Sequence, residues 1–174
     1  ALVVAVHGGG WSGGDKAGFA LPAARRHYLV ASINYRMHPA FRFPAMIEDV
    51  KLAIRFLRSR AVEYHLDPER VALLGHSAGG HLCALAGLVD GAAGWDVGAH
   101  AGQGSTVKAV VALSAPTDLC RRFPDPWAEG LRFSVFAEHQ WEAASPARRA
   151  MRLAKAAMPN RLSRPALLIS TLVT

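Results

Sequence analysis

Residues 71–88 read VALLGHSAGGHLCALAGL, a short apolar run that meets a serine set between glycines and passes at once into an Ala/Leu-rich segment. The run 71–74 has the composition of a strand, and residues 78–89 that of a helix. Gly75-His76-Ser77-Ala78-Gly79 therefore places a G-x-S-x-G pattern at a strand-to-helix corner. A hydroxyl pointing out of so sharp a corner requires unusual backbone angles, and neighbouring side chains would collide there. Glycine on both sides removes that collision, and Gly80 extends the room. The helix N-terminus behind the serine carries free N–H groups that favour developing negative charge. By itself G-x-S-x-G recurs by chance and can be a small-residue turn without chemistry. The strand before it and the helix after it make Ser77 read as a nucleophile.

Along the rest of the chain, strand-like and helix-like segments alternate. Leu2–Val6 is a continuous apolar run suited to a strand buried on both faces, and 28–34 is a second. Residues 44–64 carry Ile47, Val50, Ile54, Leu57 and Ala61 at helical spacing. Pro44 marks the start of that helix, and Glu48 and Asp49 fall early, where the helix dipole favours them. Asp67-Pro68-Glu69-Arg70 reads as a turn, 90–105 as a Gly/Ala-rich loop, 107–114 as a fourth strand and 166–170 as a fifth. Residues 117–164 are mixed and read as a lid or insert. Such alternation with short turns predicts an α/β fold, a mostly parallel sheet with helices on both faces, forming one domain over 1–174. Sites in such sheets lie beyond the carboxyl ends of strands.

A second loop follows the first strand directly: His7-Gly8-Gly9-Gly10-Trp11. Three consecutive glycines let the backbone approach a ligand closely and aim N–H groups at it. Acyl transfer needs such donors for its tetrahedral oxyanion, and losing one typically removes about 3–4 kcal/mol of transition-state stabilisation. A flexible turn or a phosphate loop is the alternative, but the spacing is neither G-x-G-x-x-G nor a Walker loop.

Taken together, HGGGWSGGDK, HLDPERVALLGHSAGGHL, VKAVVALSAPTDL and RPALLIS resemble α/β-hydrolase esterases and lipases, close to the hormone-sensitive-lipase-like and BD-FAE-like carboxylesterases. The resemblance implies the α/β-hydrolase fold and a serine hydrolase cleaving small-molecule carboxylic esters through an acyl-enzyme, without cofactor or metal. It implies Ser77 as nucleophile and the backbone N–H groups of Gly9, Gly10 and Ala78 as oxyanion hole. It also implies that His7 braces the glycine loop and that Trp11 walls the substrate pocket, with His76 and Asp118 as further pocket candidates. An arylformamidase-like amide hydrolase and a non-catalytic small-ligand-binding relative are the alternatives.

In this family the acid and the base follow the serine in that order. No Asp or Glu follows Ser170, and no His follows His139. The expectation is therefore a domain truncated at both ends, poorly soluble or oligomeric when expressed alone because sheet edges and apolar faces are left open. Asp118 is the internal candidate for the acid, with a pocket-wall or turn aspartate as the favoured reading. His76, His81, His100 and His139 are weaker candidates for the base: His76 as the serine's neighbour, His81 as a packed or capping residue, the others as loop and surface histidines.

The remaining features bound the function. The chain has 174 residues, 51% of them hydrophobic and 19% charged, enough for one domain with a core. No apolar run reaches bilayer length and no signal peptide is visible. The net charge is +7, but the arginines are dispersed in short pairs such as Arg25-Arg26 and Arg148-Arg149, without a basic stripe interleaved with aromatics. A solvated surface is expected rather than a nucleic-acid partner. Cys83 and Cys120 have no metal-binding spacing, and Cys83 is expected to be a small buried hydrophobe.

Overall fold

The β-branched and small apolar runs of the chain form five strands, all in parallel register. The computed structural model describes residues 1–18, 28–89, 94–156 and 168–170. In chain order the elements are β1 (Leu2–Val6), β2 (Leu29–Ile33), α1 (Ala45–Ser59), β3 (Val71–His76), α2 (Ala78–Leu88), β4 (Ala109–Leu113), α3 (Pro126–Val135), α4 (Pro146–Ala156) and β5 (Leu168–Ser170). The sheet order is β2-β1-β3-β4-β5. The direction of winding reverses between β1 and β3, so the crevice beyond their carboxyl ends is the topological switch point where α/β sheets place their sites. Register sharpens this: Val6 lies opposite Gly75, so the loops after β1 and β3 leave the sheet at the same level. His76 in turn lies opposite Leu113 of β4.

The core forms between the sheet and its helices. Met46, Ile47, Val50 and Ile54 repeat at helical spacing and are fully buried on α1. On α2 every residue from 78 to 86 is buried, so this helix has no solvated face. It packs on β3 and β4 and is flanked by α1 and α4. Leu73, Leu82 and Leu85 are fully buried in the shared cluster, each contributing about 1.5–3 kcal/mol through removal from water. β4 alternates: Val110 and Ala112 are buried, while Val111 and Leu113 on the opposite side are 45% and 36% exposed. No described helix is long and apolar enough to cross a membrane.

Several sequence expectations are corrected in detail. The helix expected over 44–64 ends at Ser59, because Arg60 and Ala61 donate to Leu57 O and Arg58 O in tighter turns, and Val62 points into solvent. The fourth strand is shorter than 107–114, stopping before Ser114, whose φ of 49° cannot continue a strand. Residues 166–167 of the fifth lie outside the described residues, as does the 90–93 part of the Gly/Ala-rich loop. Nor is the basic charge wholly surface. Lys51 and Arg55 are buried and share Asp96 at 3.0 and 2.6 Å, and Arg132 is buried against Glu129, Leu119 O and the Trp141 ring. Their aliphatic stems follow the apolar spacing of α1 and α3, which periodicity alone does not distinguish from solvated faces.

Candidate active site

The corner after β3 has the geometry its glycines foreshadow. Ser77 adopts φ 52° and ψ −121°, an unusual conformation for a residue with a side chain. It is over-determined by its surroundings. Ser77 N donates to Leu113 O at 2.8 Å, and Ser77 O accepts from His81 N at 2.9 Å in the first turn of α2. Glycine is required at both flanks. A Cβ on Gly75 would fall 2.3 Å from Gly79 O, and one on Gly79 would fall 2.1 Å from Val6 O at the end of β1. Ser77 occupies the N-cap position of α2, yet its side chain makes no capping hydrogen bond. Ala78, the first residue of α2, is buried directly behind it.

The triple-glycine turn comes to the same place. A Cβ on Gly8 would lie 3.2 Å from Ser77 Cβ, so the two loops are in van der Waals contact. Gly9 has φ 112° and Gly10 φ 59°, and Trp11 continues the left-handed run at φ 57°. For a bulky residue such as tryptophan that conformation costs ~1–2 kcal/mol. The turn is closed by Ser12 N and Gly13 N, which donate to Gly9 O at 3.1 and 3.0 Å. His7 Nδ1 donates to Gly8 O at 2.8 Å, and its ring stacks on Tyr35 at 4.6 Å. Tyr35 Oη donates to His7 O at 3.2 Å, and burial raises the Tyr35 phenol well above its ordinary pKa.

A cavity of about 600 Å³ opens above the two loops. Gly9, Gly10, Trp11, His76 and Ser77 form its floor and one wall. The other walls are Ser114, Ala115 and Pro116 after β4, and residues 123–131 around α3. This second wall was not legible in the sequence. A Cβ on Gly10 would lie 2.6 Å from Leu131 Cδ1 and 3.2 Å from the Trp127 ring, so α3 roofs the glycine turn. The local signal for α3 was present in Asp125-Pro126, where Asp125 accepts from Ala128 N at 2.8 Å and proline takes the first helical position. Where the helix docks is a long-range matter that this signal does not carry.

Asp118 is corrected as a pocket residue. It is absent from the cavity lining. Its carboxylate accepts from Cys120 N at 3.0 Å and pairs with Arg148 at 3.2 Å and Arg121 at 3.7 Å, a turn closed by its own side chain. Trp11 is both wall and core: only 3% exposed, it packs edge-on against Phe136 and donates its indole N–H to His81 Nδ1 at 3.2 Å. His81 Nε2 lies 2.7 Å from Ala144 O. Desolvation lowers the His81 pKa to about 4, only partly offset by the bond to Ala144 O. Burial likewise pushes the Cys83 thiol far up, which keeps it a neutral hydrophobe. His139 is exposed, and His100 packs against Phe56. Among the described residues no group of three or more His, Cys, Asp or Glu is placed to hold a metal ion.

The BD-FAE family model matches residues 1–159. The chain belongs to the BD-FAE family. Arylacetamide deacetylase from Oryctolagus cuniculus is 46% identical to this BD-FAE chain over 87 residues, 45% of the chain and 22% of that protein. Esterase LipC from Mycobacterium tuberculosis is 36% identical over 116 residues, 64% of the chain and 29% of that protein. The chain thus spans less than a third of either of these curated relatives. Among solved structures, a truncated form of a carbohydrate esterase from gut microbiota superimposes with TM-score 0.77 at 26% identity, covering 97% of this chain and 65% of that one. Apo Thermogutta terrifontis esterase 2 superimposes with TM-score 0.70 at 23% identity, covering 98% and 71%. The BD-FAE chain has the α/β-hydrolase fold that these esterases share.

Proposed function

We propose that the protein is a serine hydrolase that cleaves small carboxylic esters, with Ser77 as nucleophile and the N–H groups of Gly9, Gly10 and Ala78 as oxyanion hole. The observation that carries this reading is the contact of the two loops. Ser77, in a strained corner at a helix N-terminus, lies against a glycine turn on the floor of one cavity. In the reaction Ser77 Oγ attacks the ester carbonyl carbon, and the carbonyl π pair moves onto oxygen. That oxyanion lies among the backbone donors, and the α2 terminus adds a favourable field. Collapse expels the alcohol, which takes up the proton lost by Oγ, and leaves an acyl-enzyme that water then hydrolyses. A base must carry that proton; by the family resemblance it is a histidine oriented by an aspartate. His81 is not that base, since its Nδ1 accepts from Trp11 and its Nε2 meets a carbonyl oxygen. The segment 117–164, of which 157–164 lie outside the described residues, serves as the lid, its α3 forming the apolar wall that sets acyl and alcohol preference.

An amide hydrolase on the same site is the second reading. It is favoured by the relative named arylacetamide deacetylase, 46% identical over 87 residues. Short p-nitrophenyl esters and an arylacetamide, offered to the whole chain and to Ser77→Ala, separate the readings. Ester turnover abolished by Ser77→Ala supports the first, and preferential arylacetamide turnover the second. Equal rates in both proteins, with saturable ligand binding but no acylation of Ser77 by a fluorophosphonate, would leave a binding protein instead.

A further inference from the structure

We propose that His81, held as its neutral Nε2–H tautomer, is a positioning residue that locks Trp11, and through it the Gly9-Gly10 turn, against the nucleophile helix. The inference rests on reading Ser77 and that turn as nucleophile and oxyanion loop.

The tautomer follows from the partners. An indole N–H can only donate, so His81 Nδ1, 3.2 Å from Trp11 Nε1, must offer a lone pair. A carbonyl oxygen can only accept, so Nε2, 2.7 Å from Ala144 O, must carry the hydrogen. An imidazolium would set two donors face to face at Trp11. Full burial between the Trp11 and Phe136 rings, both edge-on to the imidazole, keeps water from substituting for either bond. The ring therefore has one orientation and one protonation state that satisfy both neighbours.

The consequence reaches the site because of where the three partners lie. His81 is four residues past Ser77, and its own N–H donates to Ser77 O, which fixes it to the nucleophile corner. Trp11 is the residue after Gly10 and holds a left-handed backbone that tryptophan does not adopt unaided. Its indole is tied to His81 and its carbonyl accepts from His38 N at 2.9 Å. Ala144 belongs to the segment just before α4, so the same imidazole also anchors the chain that leads away from the cavity's roof. Without the Nδ1 acceptor, the indole N–H is left unsatisfied in the core and the left-handed run loses a constraint. The amides of Gly9 and Gly10 then lose their aim. A misplacement of about 1 Å reduces turnover about a hundredfold in tightly positioned sites, while ground-state binding to the apolar wall is little changed.

The test uses the whole chain. Long-range 15N–1H spectra of the imidazoles report the tautomer without any substitution: an Nε2–H, unprotonated Nδ1 ring for His81 at pH 7 is expected. An Nδ1–H ring or an imidazolium overturns the proposal. His81→Leu removes donor and acceptor at similar volume, whereas His81→Asn keeps an amide oxygen near the Nδ1 position. His81→Leu is expected to lower kcat for p-nitrophenyl acetate about tenfold or more with KM within about threefold, and to strip exchange protection from the Trp11 indole N–H. His81→Asn should recover most of both. An unchanged kcat in His81→Leu, or equal losses in the two variants, overturns the proposal. If His81→Leu does not fold, the tautomer decides. If the wild type and Ser77→Ala hydrolyse the ester equally, the hydrolase reading fails by itself, and the imidazole and indole signals decide whether His81 positions Trp11.

Discussion

Replacing Gly79 by alanine tests the packing on which the site depends. The new Cβ would fall 2.1 Å from Val6 O and 2.4 Å from His7 O, both rigid backbone atoms at the end of β1. Real carbon–oxygen contacts do not come that close, so the corner after β3 and the start of the glycine loop must separate by roughly 1 Å, which overpacked cores resist at about 1–3 kcal/mol. The same separation opens the gap between Ser77 and the proposed oxyanion donors, and a shift of roughly 1 Å in such a site lowers turnover about a hundredfold. Gly79→Ala should therefore unfold at lower urea, by about 1–3 kcal/mol, and lose about a hundredfold in kcat/KM for p-nitrophenyl acetate. Gly130→Ala is the control. Gly130 lies within α3 with nothing within 4 Å of its would-be Cβ, so alanine there should add about 0.5–1 kcal/mol through helix propensity. Urea titrations and initial rates on the three proteins complete the comparison. A Gly79→Ala protein with the midpoint and rate of the parent would refute the contact between the two loops, and with it the convergence of Ser77 and Gly9.

Burial of His81 makes stability depend on pH. The unfolded chain binds its proton near pH 6.5 and the folded chain only near about 4, so acid favours the unfolded state across that window. Between pH 7 and 5 the wild type should lose about 2 kcal/mol more than His81→Asn in urea titrations; parallel losses would place a charged or solvated imidazole at this position. Leu131→Ala opens the wall over Gly10, so the kcat/KM ratio of p-nitrophenyl hexanoate to acetate should rise about tenfold, and an unaltered acyl profile would remove α3 from the pocket. Asp118→Asn breaks a partly exposed pair with Arg148, worth about 0.2–1 kcal/mol, and should leave kcat/KM within about threefold. A collapse of kcat there would make Asp118 the triad acid instead.

Much of the fold was legible because its determinants are local. Strands from continuous apolar runs, the turn at 67–70 and the elbow between β3 and α2 follow from propensity and from glycines where no other residue fits. What could not be read depends on partners far along the chain. Within residues 117–164 the docking of α3 is not legible, because Trp127 and Leu131 line a cavity while Arg132 is buried against the Trp141 ring. Lys51 and Arg55 look like surface charges until Asp96 is brought beside them, and Arg132 until Leu119 O and the Trp141 ring are. Asp118 follows β4 as an acid would, yet the turn at 118–121 closes on its carboxylate and turns it to Arg148.

The residues themselves determined that a serine sits at a strand-to-helix corner and that a flexible donor-rich loop follows the first strand. Both are consequences of backbone sterics acting over a few neighbouring positions. Only the tertiary structure decided that these loops touch, that α3 closes over Gly10, and that the imidazole of residue 81 joins positions 11 and 144. Those contacts link segments separated by dozens of residues, and they exist because a parallel sheet with β1 beside β3 sets the two carboxyl ends side by side.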